Sequence, residues 1–304
     1  MAVISGTTPI SAKQDDLSAQ RSEWLQIWRR FKGNRLAIIG LAVVLLLIII
    51  AALANVLAPY DPAFSFRGMR GSAPGAEHWL GTDTNGRDLL SRVVFGARIA
   101  LTVGIGATLM QLIIGVLIGA IAGYFGGWTD TILSRLIDTL MSMPVLALLT
   151  LLAAVLRDKA IPSVLLTIMV IGFTGWSRFA RVVRADVMSL KQRDFVIAAQ
   201  SSGVTPMRII VRHMLPNVMG PVIVLASLGI GGIIILEAAL SFLGLGVRPP
   251  TPSWGVILSD GRAFITNYPH IVISPGVMIV ITVLAFNFLG DGLRDALDPK
   301  QRAE

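Results

Sequence analysis

The stretch LAIIGLAVVLLLIIIAALANVLAPY, residues 36–60, contains no Asp, Glu, Lys or Arg. As a helix it would rise about 37 Å, enough to cross the roughly 30 Å of hydrocarbon in a bilayer. From Leu41 to Leu53 every side chain is apolar, whereas a helix lying on a soluble core keeps a polar face. The run follows 35 largely polar residues and is longer than the apolar part of a secretory leader, so it is expected to stay in the protein. Five more charge-free stretches follow, at 99–129, 139–156, 160–177, 213–236 and 263–290. Together they predict an all-α integral membrane protein with six transmembrane helices.

Composition agrees with that reading. Of 304 residues, 54% are hydrophobic and 14% charged, against about 25% charged in soluble proteins, and the mean hydropathy is +0.73. The net charge of +8 raises nucleic-acid binding, but the cations flank the apolar spans instead of forming one face. With the N-terminus inside, alternate segments place 17 of the 26 Lys and Arg on the cytoplasmic side and 9 outside, the asymmetry expected of cytoplasmic loops. The absence of cysteine excludes disulfides, thiolate metal sites and a cysteine nucleophile. His78, His213 and His270 sit in separate segments without zinc spacing, and no serine lies in a Gly-x-Ser-x-Gly elbow. Gly81 to Asp88 has the glycine spacing of a phosphate loop, but Arg87 and Asp88 replace its Lys and Ser or Thr. We expect that segment to be a turn leading into an amphipathic surface helix, tied by charge pairs among Asp83, Arg87, Asp88 and Arg92.

The connection from Arg178 to Arg212 is the longest cytoplasmic one on this count. Asp194 reads as the cap of a helix over 195–202 that ends at Gly203. Thr205 followed by Pro206 opens a second helix to about Met214; Pro216 then stops it and Asn217 caps the next span. Phe195, Ala198, Ala199, Met207, Ile210 and Val211 would be available for contact, so a docking element is favoured over a passive linker.

Ala198, Ala199, Gly203, Leu215 and Pro216 fall on the spacing of the loop signature in permease subunits of bacterial ABC importers. Ile197 stands where that signature has an acid and His213 where it has an aliphatic residue, and these departures look like the oligopeptide and nickel branch. The resemblance extends to HWLGTDTNGRDLLSR (78–92), SFLGLG (241–246), PPTPSWG (249–255) and NFLGDGLRDALDPK (287–300). All are similar to the second, or "C", permease of dipeptide and oligopeptide importers. The resemblance implies a type I ABC importer permease fold with both termini cytoplasmic, in the bacterial inner membrane. It implies that the loop over 184–216 is the coupling element, moved by a cytoplasmic ATPase as a rigid unit. A homologous second permease, two ATPase subunits and an external substrate-binding protein are the implied partners. No cofactor is expected on this chain, and ATP is used by the partner subunits. The alternative is a self-sufficient channel or secondary transporter, which would show inverted repeats or charged, discontinuous helices near midplane.

The expected layout is a disordered tail (1–22), an interfacial helix with Trp24, Ile27, Trp28 and Phe31 plus the first span (23–58), a periplasmic connection (59–97), a five-helix permease core (98–292) and a cytoplasmic tail (293–304). Within the spans, Gly115, Gly119 and Gly123 recur every four residues and are assigned to helix packing, as are Gly229, Gly231 and Gly232. Glu237 lies about 30 Å beyond Asn217, near the outer edge. It reads as a vestibule acid facing a peptide's ammonium or, more simply, as a solvated or Arg-paired carboxylate. Asp138 is expected to pair with Arg135, three residues before it.

Overall fold

The computed structural model describes residues 25–157 and 159–297; the expected tail over 1–22, Trp24 and residues 298–304 lie outside them. A short helix α1 (25–33) turns at Asn34 into α2 (Arg35–Ala52), whose first turn is capped by the Asn34 side chain accepting from Ala37 N–H at 3.2 Å. Phe31 of α1 is buried against Ala37 and Ala296. One turn, α3 (Ala54–Leu57), ends the first span. Arg98 donates to the Ala51 and Ala52 carbonyls there, satisfying acceptors that a helix end leaves free.

Long helices α4 (Leu89–Phe125), α7 (Ser163–Leu190), α10 (Leu215–Phe242) and α12 (His270–Leu297) build the bundle. Five helical stretches are long and apolar enough to cross a membrane: α2, α4, α7, 206–242 and α12. The expected span over 139–156 is not one helix. It is divided between α5 (Gly127–Ser142) and α6 (Val145–Leu156), which meet at 93°. Pro144 is the cause: it offers no N–H and forces Met143 into an extended conformation (φ −80°, ψ 139°).

The helix α7 runs beyond the charge-free stretch 160–177. The helix continues past Ser177 to Leu190, because Arg181 and Arg184 reach acids of α5: Arg181 bonds Asp138 at 2.7 Å and Arg184 bonds Asp130 at 2.7 Å. Asp138 therefore pairs across two helices with Arg181, and the expected local pair with Arg135 is replaced.

The closest packing joins α4 to α7. A Cβ at Gly119 would stand 2.5 Å from the Ala180 carbonyl oxygen and one at Gly123 2.7 Å from that of Arg184, while at Gly115 it would strike Phe179. Nothing larger than a hydrogen fits between these backbones. In α10, Gly231 meets another helix, at Val283, while Gly229 and Gly232 face open space, so among the described residues the expected glycine packing there is made by Gly231 and not by the other two.

At the end of the bundle that holds residues 58–88, two isolated bridges, Ser65 with Arg87 and Thr82 with Asp88, are the β pairing among the described residues. The expected amphipathic surface helix is instead the buried start of α4. Asp88 caps it, accepting from Ser91 N–H at 2.7 Å, and meets His78 Nδ1 at 2.8 Å. Asp83 accepts from Arg87 Nε at 2.7 Å and from Arg92. Asp260, at the end of α11 (Trp254–Gly261), takes Arg87 at 2.9 Å and Arg92 at 3.2 Å. Two buried guanidiniums thus share two carboxylates, the pairing that buried charges require. Trp254 adds an indole N–H donated to Val93 O at 3.0 Å, so α11 is fixed on α4.

Candidate functional site

The segment Asp194–Met214 projects from the opposite end. Its first helix, α8, covers Asp194–Ser201 with Arg193 at the cap position and no side-chain cap; Asp194 is its first helical residue and not the expected cap. Gly203 N–H bonds Gln200 O at 3.0 Å and Val204 N–H bonds Ala199 O at 3.1 Å. This is the reciprocal pair of a Schellman ending, with Gly203 in the left-handed region at φ +74°.

Pro206 then starts α9 (Pro206–Ile209), which passes through a π turn (Ile210–Met214) directly into α10. Pro216 does not stop the helix, and Asn217 does not cap the next. A proline lacks the N–H that would bond four residues back. The wider turn absorbs the mismatch, with Leu215 N–H bonding Ile210 O and Asn217 Nδ2 donating to His213 O at 2.7 Å.

Buried and exposed residues of the segment divide cleanly. Val196, Ile209, Ile210 and Met214 are buried in one cluster with Val116, Ala120 and Tyr124 of α4 and Phe179, Val183 and Val187 of α7. Lys191 completes the seat by donating to Tyr124 O at 2.7 Å. Ile210 is thus an anchor and not an exposed contact. Phe195, Ile197, Met207 and Val211 are exposed, as are Ala198, Gly203 and Pro216, while Ala199 and Leu215 are half-buried. The arrangement is a firmly seated bend whose outer face exposes these apolar side chains beside Arg193, Arg208 and Arg212.

A second feature is a half-open cleft in the side of the bundle. A cavity of about 430 Å³ is bounded by α4, the α5–α6 bend, α7 and α10, with Gln111, Met143, Thr174, Ser177, Arg178 and Gly229 among its lining. Its volume falls within the roughly 300–1,000 Å³ of small-molecule sites. The local pattern does not announce it, because Arg178 directly follows the charge-free run 160–177 and falls in the expected cytoplasmic connection. The spacing of Ile171, Thr174, Gly175 and Arg178 along one helical face is the signal that could have revealed it.

Glu237 is 0% exposed. It accepts from Ser241 Oγ at 2.7 Å, and its second oxygen, Oε2, has no hydrogen-bond partner among the described residues. The expected solvated or Arg-paired carboxylate is not what the fold holds, because α11 covers this part of α10: a Cβ at Gly255 would run into Ala238.

A family model described as the binding-protein-dependent transport system inner membrane component matches residues 115–303. A second, the N-terminal TM domain of oligopeptide transport permease C, matches residues 22–74. The dipeptide transport system permease protein DppC of Alkalihalophilus pseudofirmus is 42% identical over 295 residues, covering 97% of this chain and 96% of that protein. The oligopeptide transport system permease protein OppC of Bacillus subtilis is 40% identical over 299 residues, 97% of this chain and 96% of that one. The glutathione transport system permease protein GsiD of Pectobacterium atrosepticum is 41% identical over 284 residues, 93% of each. Among solved structures, a chain of the inward-facing MetNI methionine ABC transporter superposes with a TM-score of 0.57 at 18% identity, over 69% of this chain and 98% of that one, which shows a shared fold.

Proposed function

Because this chain belongs to the binding-protein-dependent transport system inner membrane components, as an ABC importer permease of the peptide and nickel transport family, we propose that it forms half of a path for peptide-like solutes across a bacterial inner membrane. A homologous permease supplies the other half. Two ATPase subunits dock on the cytoplasmic side, and an external binding protein delivers the solute. The observation that carries this reading is the 194–214 segment. Its outer face has no partner within the described chain, while its inner face is buried against α4 and α7. A surface built that way transmits a push from a docked subunit to the spans instead of absorbing it.

The orientation follows from charge: with the N-terminus cytoplasmic, the 194–214 segment shares the cytoplasmic side with most of the Lys and Arg. The α5–α6 pair then counts as the sixth span, broken at Pro144. Residues 198, 199, 203, 215 and 216 act as the coupling signature, and the Asp83–Arg87–Arg92–Asp260 assembly stiffens the periplasmic end.

The test is uptake in a strain lacking this chain, screened with dipeptides, longer peptides, glutathione and nickel complexes. Restoration of uptake of one peptide-like class, only when the chain and a functional partner ATPase are both present, is the expected result. Uptake that persists with a hydrolysis-dead ATPase refutes the assignment and favours a self-sufficient transporter.

A further inference from the structure

Three arginines follow one another along α7 at intervals of three. Arg181 and Arg184 are neutralised by Asp138 and Asp130 of α5. Arg178 is the exception. It makes no ion pair or hydrogen bond among the described residues, and it lines the cavity where α5 gives way to the α6 bend at Met141, Met143 and Val145. It stands about 22 Å along α7 from Ser163 and about 18 Å from Leu190. It therefore lies within the length of α7, one turn before the ion-paired Arg181, and its side chain is exposed on the cleft side.

Its surroundings are those of a binding site more than a vacant gap. Ser177, 4% exposed and in the cavity lining, makes no hydrogen bond to the described chain, so its hydroxyl is free to donate. Gln111 lies over Gly175, where a Cβ would collide with its amide. It donates one N–H to Ile171 O at 3.0 Å, which fixes the amide and leaves its oxygen uncommitted. Of the remaining lining, Leu140, Leu225, Ile233 and Leu236 are apolar, and Thr174 commits its hydroxyl to the Val170 and Ile171 carbonyls. One unpaired, exposed guanidinium, one free hydroxyl and one fixed amide along a half-open, largely apolar cleft suit a small solute with a terminal carboxylate, since the guanidinium fork matches that group bidentately.

We propose that Arg178, assisted by Ser177 and Gln111, is a carboxylate-binding station for the solute in transit through this permease. The station rests on the importer reading and adds to it the class of solute: small, carboxylate-terminated molecules such as peptides with a free C-terminus. Lysine at this position keeps the charge and loses only the fork; glutamine loses both.

The experiment uses the full importer, reconstituted in liposomes with its ATPases, second permease and binding protein. Uptake of labelled dialanine and of dialanine amide is measured for wild type, Arg178→Lys and Arg178→Gln. The expected result is a fall of about tenfold or more in dialanine uptake for Arg178→Gln, in line with loss of a charge-assisted hydrogen-bonded contact. Amide uptake changes less than about twofold, Arg178→Lys retains most dialanine uptake, and every variant purifies with all its subunits. Unchanged dialanine uptake in Arg178→Gln overturns the proposal, as does an equal loss of both substrates. Loss of the second permease on purification also overturns it, by assigning Arg178 to the subunit interface. A wild-type importer that takes up no peptide refutes the peptide reading itself, a failure visible before any substitution is made.

Discussion

Met207 and Ile209 are two residues apart and face opposite ways, which makes them a sharp test of the coupling segment. Ile209 is fully buried among α4 and α7, whereas Met207 is 67% exposed. Truncating a buried isoleucine to alanine removes packing on all sides and leaves a cavity, costing about 2–5 kcal/mol. Truncating Met207 should change the stability of the isolated chain by less than about 0.5 kcal/mol. In the assembled importer the order reverses. If an ATPase groove covers the exposed two-thirds of Met207, its side chain contributes about 1–2 kcal/mol to docking, so Met207→Ala should weaken the ATPase subunit's affinity about 5- to 30-fold. Thermal unfolding of each purified variant and titration of the ATPase subunit onto it separate the two effects. A Met207→Ala chain that unfolds at lower temperature yet binds the ATPase like wild type would falsify the division of the segment into a seated face and a docking face.

Further substitutions probe the backbone and the charges. Gly203→Ala meets no neighbour within 4 Å but must adopt φ +74°, so it should destabilise the chain by about 1–2 kcal/mol through the backbone alone. Gly203→Asn should cost less, and equal melting temperatures for the two variants would contradict that origin. Gly119→Ala places a methyl 2.5 Å from the Ala180 carbonyl oxygen, whereas Gly220→Ala meets nothing within 4 Å. Thermal unfolding should show a loss of about 1–3 kcal/mol for the first and no loss for the second, and matching losses would reject the α4–α7 approach as the cause. Asp83→Asn strips the shared carboxylate from two buried guanidiniums and should cost about 3–5 kcal/mol. Asp260→Asn, at a side chain 27% exposed, should cost clearly less, and the opposite ranking in chemical denaturation would count against the assigned hierarchy.

What could be read from the residues was what local pattern controls. The span at 36–60 declares itself because it is apolar on every side, and the bend at Gly203 does so because a glycine after a short helix satisfies the carbonyls behind it. The errors arose where distant residues override local ones. Arg181 and Arg184 look like loop residues until Asp138 and Asp130, more than 40 positions earlier in the chain, are seen to neutralise them. Pro216 reads as a stop because its missing N–H is a local fact, while the π turn that accommodates it is a property of the whole stretch from Pro206 to Phe242. Asp260 joins two arginines some 170 positions away, a pairing set by the return of α11 onto α4 and encoded in no nearby motif.

The glycine contact between α4 and α7 bears on the order in which the protein takes shape in the membrane. Both of its surfaces belong to one chain, and van der Waals contact between close backbones drives helix association inside lipid without any aqueous hydrophobic force. This pair can therefore close as soon as both helices are inserted, before any other subunit is encountered. The far side of α4 carries Ile105, Leu109, Ile113, Leu117 and Ile121, all exposed, and is as much at home against lipid as against another helix. Folding can then proceed in two steps, with a finished pair in the bilayer and the seat for the 194–214 segment built before that segment docks on it.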